Sequence, residues 1–173
     1  MNKQTGFTLV ELIIAVAIVA IVVAIGLPAF ETTINENRLT SSANAFVGSL
    51  NLVRSEAIKR NTRISLCSSA DGATCAAGGY HQGWIIFVDA NNNCTPPPEG
   101  PLQVHERLSN DLTLIGGNPF VTCISYTASG AIGGFIAGSL NLCKPNYPVS
   151  SRQVFISSGG RARVQRNEPA AGC

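Results

Sequence analysis

The pattern of apolar and polar positions changes character twice along the chain. Residues 12–30 form a run of nineteen with no charged side chain. At a helical rise of about 1.5 Å per residue such a run spans roughly 28 Å, close to the hydrocarbon thickness of a bilayer. From Leu39 the apolar positions fall at spacings of three and four: Leu39, Ala43, Phe46, Val47, Leu50, Val53 and Ala57. Asn44, Asn51, Arg54 and Glu56 lie between them. This predicts an amphipathic helix that continues the first one to about Arg60, with Glu56 and Arg60 spaced to pair weakly on its wet face.

From Arg63 the period shortens to two. Residues 63–67 alternate as a half-buried strand does, and residues 83–88 (Gly-Trp-Ile-Ile-Phe-Val) read as a strong strand. Further strands are expected at 102–107, 112–115, 121–127, 154–157 and 162–165. Residues 68–79 are small and polar, with Asp71-Gly72 as a turn signal, and residues 89–100 carry three asparagines and three prolines and must be a loop. Turns at Gly116-Gly117, Gly133-Gly134 and Gly159-Gly160 separate later strands. A helix followed by a run of antiparallel strands is an α+β fold, and the helix's apolar face must be buried against the β-rich part. Trp84 belongs to that core, because Ile86 and Val88 share its strand face.

Charge adds an asymmetry. The formal net charge is +2, yet the stretch from Lys144 onward carries Lys144, Arg152, Arg161, Arg163 and Arg166 against Glu168 alone. That end is +4 and the remainder −2. Only Lys3 is charged ahead of the apolar region, so the basic flank is N-terminal; residues 1–6 are expected to face the cytoplasm and the β-rich part the other side.

The six cysteines, Cys67, Cys75, Cys94, Cys123, Cys143 and Cys173, all follow the apolar segment. An even number in an exported domain points to disulfides. No Cys-x-x-Cys occurs, and neither His81 nor His105 stands at ligand spacing from a cysteine, so no metal is expected. Six cysteines allow 15 connectivities. Cys67 and Cys75 flank a short turn-rich loop, which favours a local bridge.

Glu11 fits neither a cleaved secretory signal nor a plain anchor. A carboxylate within the apolar stretch that opens at Phe7 costs about 2.5–3.5 kcal/mol on insertion scales, so it is read as functional; the other reading is a polar residue tolerated near the membrane edge. The run Gly6-Phe7-Thr8-Leu9-Val10-Glu11 resembles the processing site of type IV prepilins and type II secretion pseudopilins. The resemblance implies that a prepilin peptidase cuts after Gly6 and methylates Phe7. It further implies that Glu11 pairs with the new N-terminus of a neighbouring subunit during filament assembly. On it rests the division into a leader (1–6), a membrane and assembly half of the helix (7–32), an amphipathic half (33–60) and a disulfide-stapled β-domain (61–173). Gly26 and Pro28 then mark either a packing kink or the membrane exit.

The order of helix, Arg54-Ser55-Glu56-Ala57, a cysteine-bearing strand, residues 83–89, and a terminal Gly160-Arg161 resembles the GspH/FimT group of minor pilins and pseudopilins. That group implies a long helix on two small antiparallel sheets. Its partners are other major and minor pilins, and its location is the inner membrane as a single-pass protein, with a periplasmic domain, before the cell-surface pilus. Similar pilins carry a C-terminal disulfide, which implies Cys143 with Cys173 and leaves Cys94 and Cys123.

No HExxH, GxSxG or phosphate-loop pattern occurs, so no enzyme, cofactor or small-molecule substrate is expected. The Asp89-Ala90-Asn91-Asn92-Asn93 run lacks the glycine and distal glutamate of an EF-hand and reads as a polar loop. Gly160-Arg161-Ala162-Arg163 puts two guanidinium groups on one strand face. The alternatives are a charged edge strand that resists sheet-to-sheet association and a phosphate-binding edge. Gly-Arg-x-Arg resembles the DNA-binding element of FimT-type minor pilins in naturally transformable bacteria. It implies that Arg161 and Arg163 contact double-stranded DNA without sequence preference, with Arg166, Arg152 and Lys144 added by charge alone. A purely structural subunit that primes a type IV pilus or a type II secretion fibre shares residues 1–60 and remains the other function.

Overall fold

The computed structural model describes residues 8–109, 111–134 and 136–168, with the backbone alone at 26–29. Helix α1 runs Leu9–Arg60, and its backbone stays helical through Gly26 and Pro28. Eight strands follow: β1 Ile64–Ser68, β2 Trp84–Val88, β3 Gln103–His105, β4 Thr113–Gly116, β5 Cys123–Tyr126, β6 Gly138–Cys143, β7 Ser151–Ile156 and β8 Ala162–Asn167. They form two four-stranded sheets, ordered β3-β2-β1-β5 and β4-β6-β7-β8, in which every pairing is antiparallel. The fold is α+β, one long helix with two small antiparallel sheets.

The chain divides into two compact units, residues 1–38 and 39–173. In the first, the described apolar side chains are exposed on every side of the helix, including Leu12, Ile14, Val16, Ile18, Val22 and Ile25. A helix apolar all round and unburied by its own chain suits a lipid environment, and α1 is long and apolar enough to cross a membrane. In the second unit Leu39, Ala43, Phe46, Leu50, Val53 and Ala57 are fully buried. This is the apolar stripe the spacing predicts, with Val47 packed at its margin.

Trp84 is fixed from several directions. Phe46 meets it edge-on at 5.1 Å between ring centroids, and His105 stacks on it at 3.8 Å. Its indole N–H donates to the Ser49 hydroxyl at 3.0 Å. Asp89 is buried at the exit of β2, where it accepts from the Ser65 hydroxyl and from the backbone N–H groups of Asn93 and Cys94. The Asp89 carboxylate is therefore taken up by Ser65 of β1 and by the backbone of its own loop, and no cluster of three potential metal ligands exists among the described residues.

Sequence periodicity missed β6, an interior strand of the second sheet. Gly138-Ser139-Leu140-Asn141-Leu142-Cys143 does alternate, with Leu140 and Leu142 buried. It holds no β-branched or aromatic residue, so its signal lies in parity alone. Cys67 is bonded to Cys75 and Cys94 to Cys123, with Cα–Cα distances of 5.6 and 6.5 Å. Cys143 is disulfide-bonded as well; Cys173, its expected partner, lies outside the described residues.

Candidate functional site

Two places carry chemistry. The first is the start of α1. Thr8 precedes the first helical residue, and its backbone N–H and hydroxyl both donate to Glu11 Oε2, at 3.1 and 3.2 Å. The Glu11 N–H donates back to Thr8 Oγ1 at 3.3 Å. This is a capping box, in which residues three apart satisfy each other's unpaired backbone donors at a helix N-terminus. Glu11 thus has an intrachain role, which the insertion cost of its carboxylate does not predict. The signal was in the sequence as Thr-x-x-Glu directly before an apolar run. Gly6 and Phe7 lie outside the described residues.

The second is the β7–β8 hairpin at the edge of the second sheet. Its turn is closed by Gly160 N–H donating to Ser157 O, Ser157 N–H to Arg161 O, and Arg161 N–H to the Ser157 hydroxyl. Gly160 has φ +76°, and a Cβ there would come within 2.2 Å of the Gly130 carbonyl oxygen and 2.9 Å of the Tyr126 ring. The glycine of Gly-Arg-x-Arg is therefore required by both backbone conformation and space. Beyond the turn, Ala162 and Val164 pack against the core while Arg161, Arg163 and Gln165 are exposed. No acidic side chain pairs with Arg161 or Arg163 among the described residues. The Arg163 guanidinium lies 4.8 Å from the centroid of Phe155, its register partner on β7.

The other three basic residues differ from the charge-based expectation. Arg152 is buried, 6% exposed, and donates to the Thr40 hydroxyl of α1, the Ser150 hydroxyl and the Ser151 carbonyl. It ties β7 to the helix and is not a surface contact. Lys144 is half-buried and pairs with Asp111 at 3.4 Å. Arg166 pairs with Glu168 and, by strand alternation, lies on the face opposite Arg163, opposite Arg152 in register. Only Arg161 and Arg163 of the five present open guanidinium groups on one face.

A lipid-compatible capped helix leading into a two-sheet domain is the build of a pilin-like subunit, and the relatives agree. Residues 42–160 match the family described as type II transport protein GspH, so the chain belongs to that family; residues 1–27 match the prokaryotic N-terminal methylation motif. Pilin-like protein PilA1 of Thermus thermophilus is 27% identical over 94% of this chain and 99% of its own. Prepilin peptidase-dependent protein D of Escherichia coli is 35% identical over 45% of this chain; that match spans only 47% of the relative's length. The Pseudomonas aeruginosa type IV minor pilin FimU shares the fold at a TM-score of 0.62 with 23% identity, over 76% of this chain and 90% of that one. The Vibrio cholerae minor pseudopilin EpsH does so at 0.50 with 15% identity, over 76% and 98%. The protein is a non-enzymatic pilin or pseudopilin subunit of the type IV pilus and type II secretion kind, with an apolar helix suited to membrane anchoring before assembly.

Proposed function

We propose that the chain is a FimT-type minor pilin of a type IV pilus that binds DNA without sequence preference and supports DNA uptake in natural transformation. The supporting observation is the pair Arg161 and Arg163, exposed where the turn enters the edge strand β8 and unopposed by acids among the described residues. Guanidinium groups fork onto phosphate oxygens, and phosphate contacts carry no base information. Two neutralised phosphates correspond to a log–log salt slope of only about −1.8, weak binding per subunit that several copies on a filament would strengthen through avidity. In this reading a prepilin peptidase cuts after Gly6 and methylates Phe7. The subunit waits in the inner membrane with its β-domain in the periplasm, and Glu11 then pairs with a neighbour's N-terminus in the filament with other pilins.

The test is a gel shift of the full chain in non-ionic detergent with unrelated duplexes at low and high salt. Wild-type protein should bind every duplex alike and release at high salt. Arg161→Gln with Arg163→Gln should abolish the shift and lower transformation while leaving the melting temperature unchanged. Equal binding by that double variant refutes the reading and leaves a structural subunit that primes a pilus or secretion fibre.

A further inference from the structure

We propose that the outer face of the second sheet is a nucleobase platform, so that the proposed DNA site takes single-stranded DNA with its bases laid against the sheet. This rests on the DNA reading of Arg161 and Arg163 and specifies its ligand.

Strand pairing aligns the outward side chains in rows. Phe155 stands opposite Arg163, and Asn141, Gln153 and Gln165 stand opposite one another across β6, β7 and β8. The buried members of the same strands, Leu140, Leu142, Val154 and Ile156, point the other way into the core. The outer face thus joins an arginine–aromatic pair to a cross-strand series of three amides. The Gln153 amide nitrogen donates to Asn141 Oδ1 at 3.2 Å, which orders two of the three. Gln165 is exposed and makes no side-chain hydrogen bond among the described residues.

Each part has a role in holding an unpaired nucleotide. Bases freed from a duplex stack on aromatic rings and on arginine planes, and this stacking is tolerant of sequence. Phe155 holds the Arg163 guanidinium against its ring, so a planar cation is preorganised on the sheet. Amides donate to and accept from the Watson–Crick edges of bases, which a duplex occupies with its own pairing. Arg161 lies beside the turn for the backbone phosphate. None of these positions carries an acidic side chain, so nothing on the rows repels a polyanion. Arginines serving phosphate alone would need neither the ring nor the amides.

The experiment uses the full chain in non-ionic detergent and fluorescence anisotropy with three labelled ligands of equal length: an oligothymidylate, a duplex, and a strand of abasic sites. Stacking of even one base should make the oligothymidylate bind at least about fivefold tighter than the abasic strand. Phe155→Val, a β-compatible residue without a ring, should remove most of that ratio, so that affinity for the oligothymidylate falls several-fold more than affinity for the duplex or the abasic strand. The wild-type comparison with the abasic strand needs no variant, so it decides even if Phe155→Val melts early. Equal affinity for oligothymidylate and abasic strand, lost in Arg161→Gln with Arg163→Gln, overturns the platform and leaves the phosphate reading standing. Absence of binding to all three ligands removes both.

Discussion

The indole N–H of Trp84 donates to the hydroxyl of Ser49 at 3.0 Å, joining the first sheet to the amphipathic half of α1 inside the core. Ser49 in turn donates to the Ala45 carbonyl one helical turn back, so its hydroxyl is oriented by the helix itself. Ser49→Ala would leave a fully buried N–H without a partner. An unmet buried donor costs about 1–3 kcal/mol, well above the net value of an average hydrogen bond. We expect a loss of that size in chemical denaturation followed by Trp84 fluorescence. A variant within about 0.5 kcal/mol of wild type would mean the indole finds another acceptor.

Arg152 and Arg163 should separate stability from binding. Arg152→Gln removes charge-assisted hydrogen bonds to Thr40, Ser150 and Ser151 from a buried site. It should lower stability by about 1.5–3 kcal/mol and leave DNA affinity intact wherever the protein is folded. Arg163→Gln, at an exposed site, should do the reverse: unchanged denaturation midpoint and weaker DNA binding. A loss of affinity in folded Arg152→Gln would contradict the separation.

That contrast shows how far the sequence could be read. The helix and β2 announced themselves through period and residue type, and Leu39 to Ala57 fell on the buried stripe as spaced. Arg161 and Arg163 share parity, and exposure of their strand face is the one further fact needed to place them outward. Arg166, three residues from Arg163, has the opposite parity, so a count of charges misjudged what strand alternation already held. Arg152 was not legible: parity places it with Val154 and Ile156, but its strand was expected to begin only at 154. The Thr8–Glu11 box is legible as Thr-x-x-Glu ahead of an apolar run, a local signal independent of the cost of a carboxylate in lipid.

The loop closed by Cys67–Cys75 should resist acid. Asp71 accepts from the Thr74 hydroxyl at 2.6 Å, from the Thr74 and Ala73 N–H groups, and from the Ser69 hydroxyl. These bonds, the Thr74 hydroxyl foremost, hold its carboxyl well below the usual carboxylate range. Because the folded pKa is the lower one, the stabilisation is fully present above the unfolded value of about 3.9 and fades as pH falls through the folded value. A carboxyl-detected NMR titration should find Asp71 still ionised at pH values where free aspartate is mostly protonated. Thr74→Val should move its titration upward, though not the whole way, since both backbone donors remain. A wild-type Asp71 that titrates near the free value would refute the loop geometry.

Glu11 now has two roles to separate: capping its own helix, and the proposed pairing with a neighbour's N-terminus. Glutamine serves in a capping box as glutamate does, but it carries no charge. Glu11→Gln should therefore keep the helix start, insert into the membrane normally, and fail to enter filaments, because an N-terminal amine in lipid would lack its counter-charge. Thr8→Ala removes the other half of the box, at a cost near 1 kcal/mol, yet keeps the carboxylate. It should insert and assemble. Membrane fractionation and immunodetection of sheared filaments read both steps in one set of cells. If Thr8→Ala is excluded from filaments and Glu11→Gln enters them, the glutamate serves the cap and the intersubunit pairing is wrong.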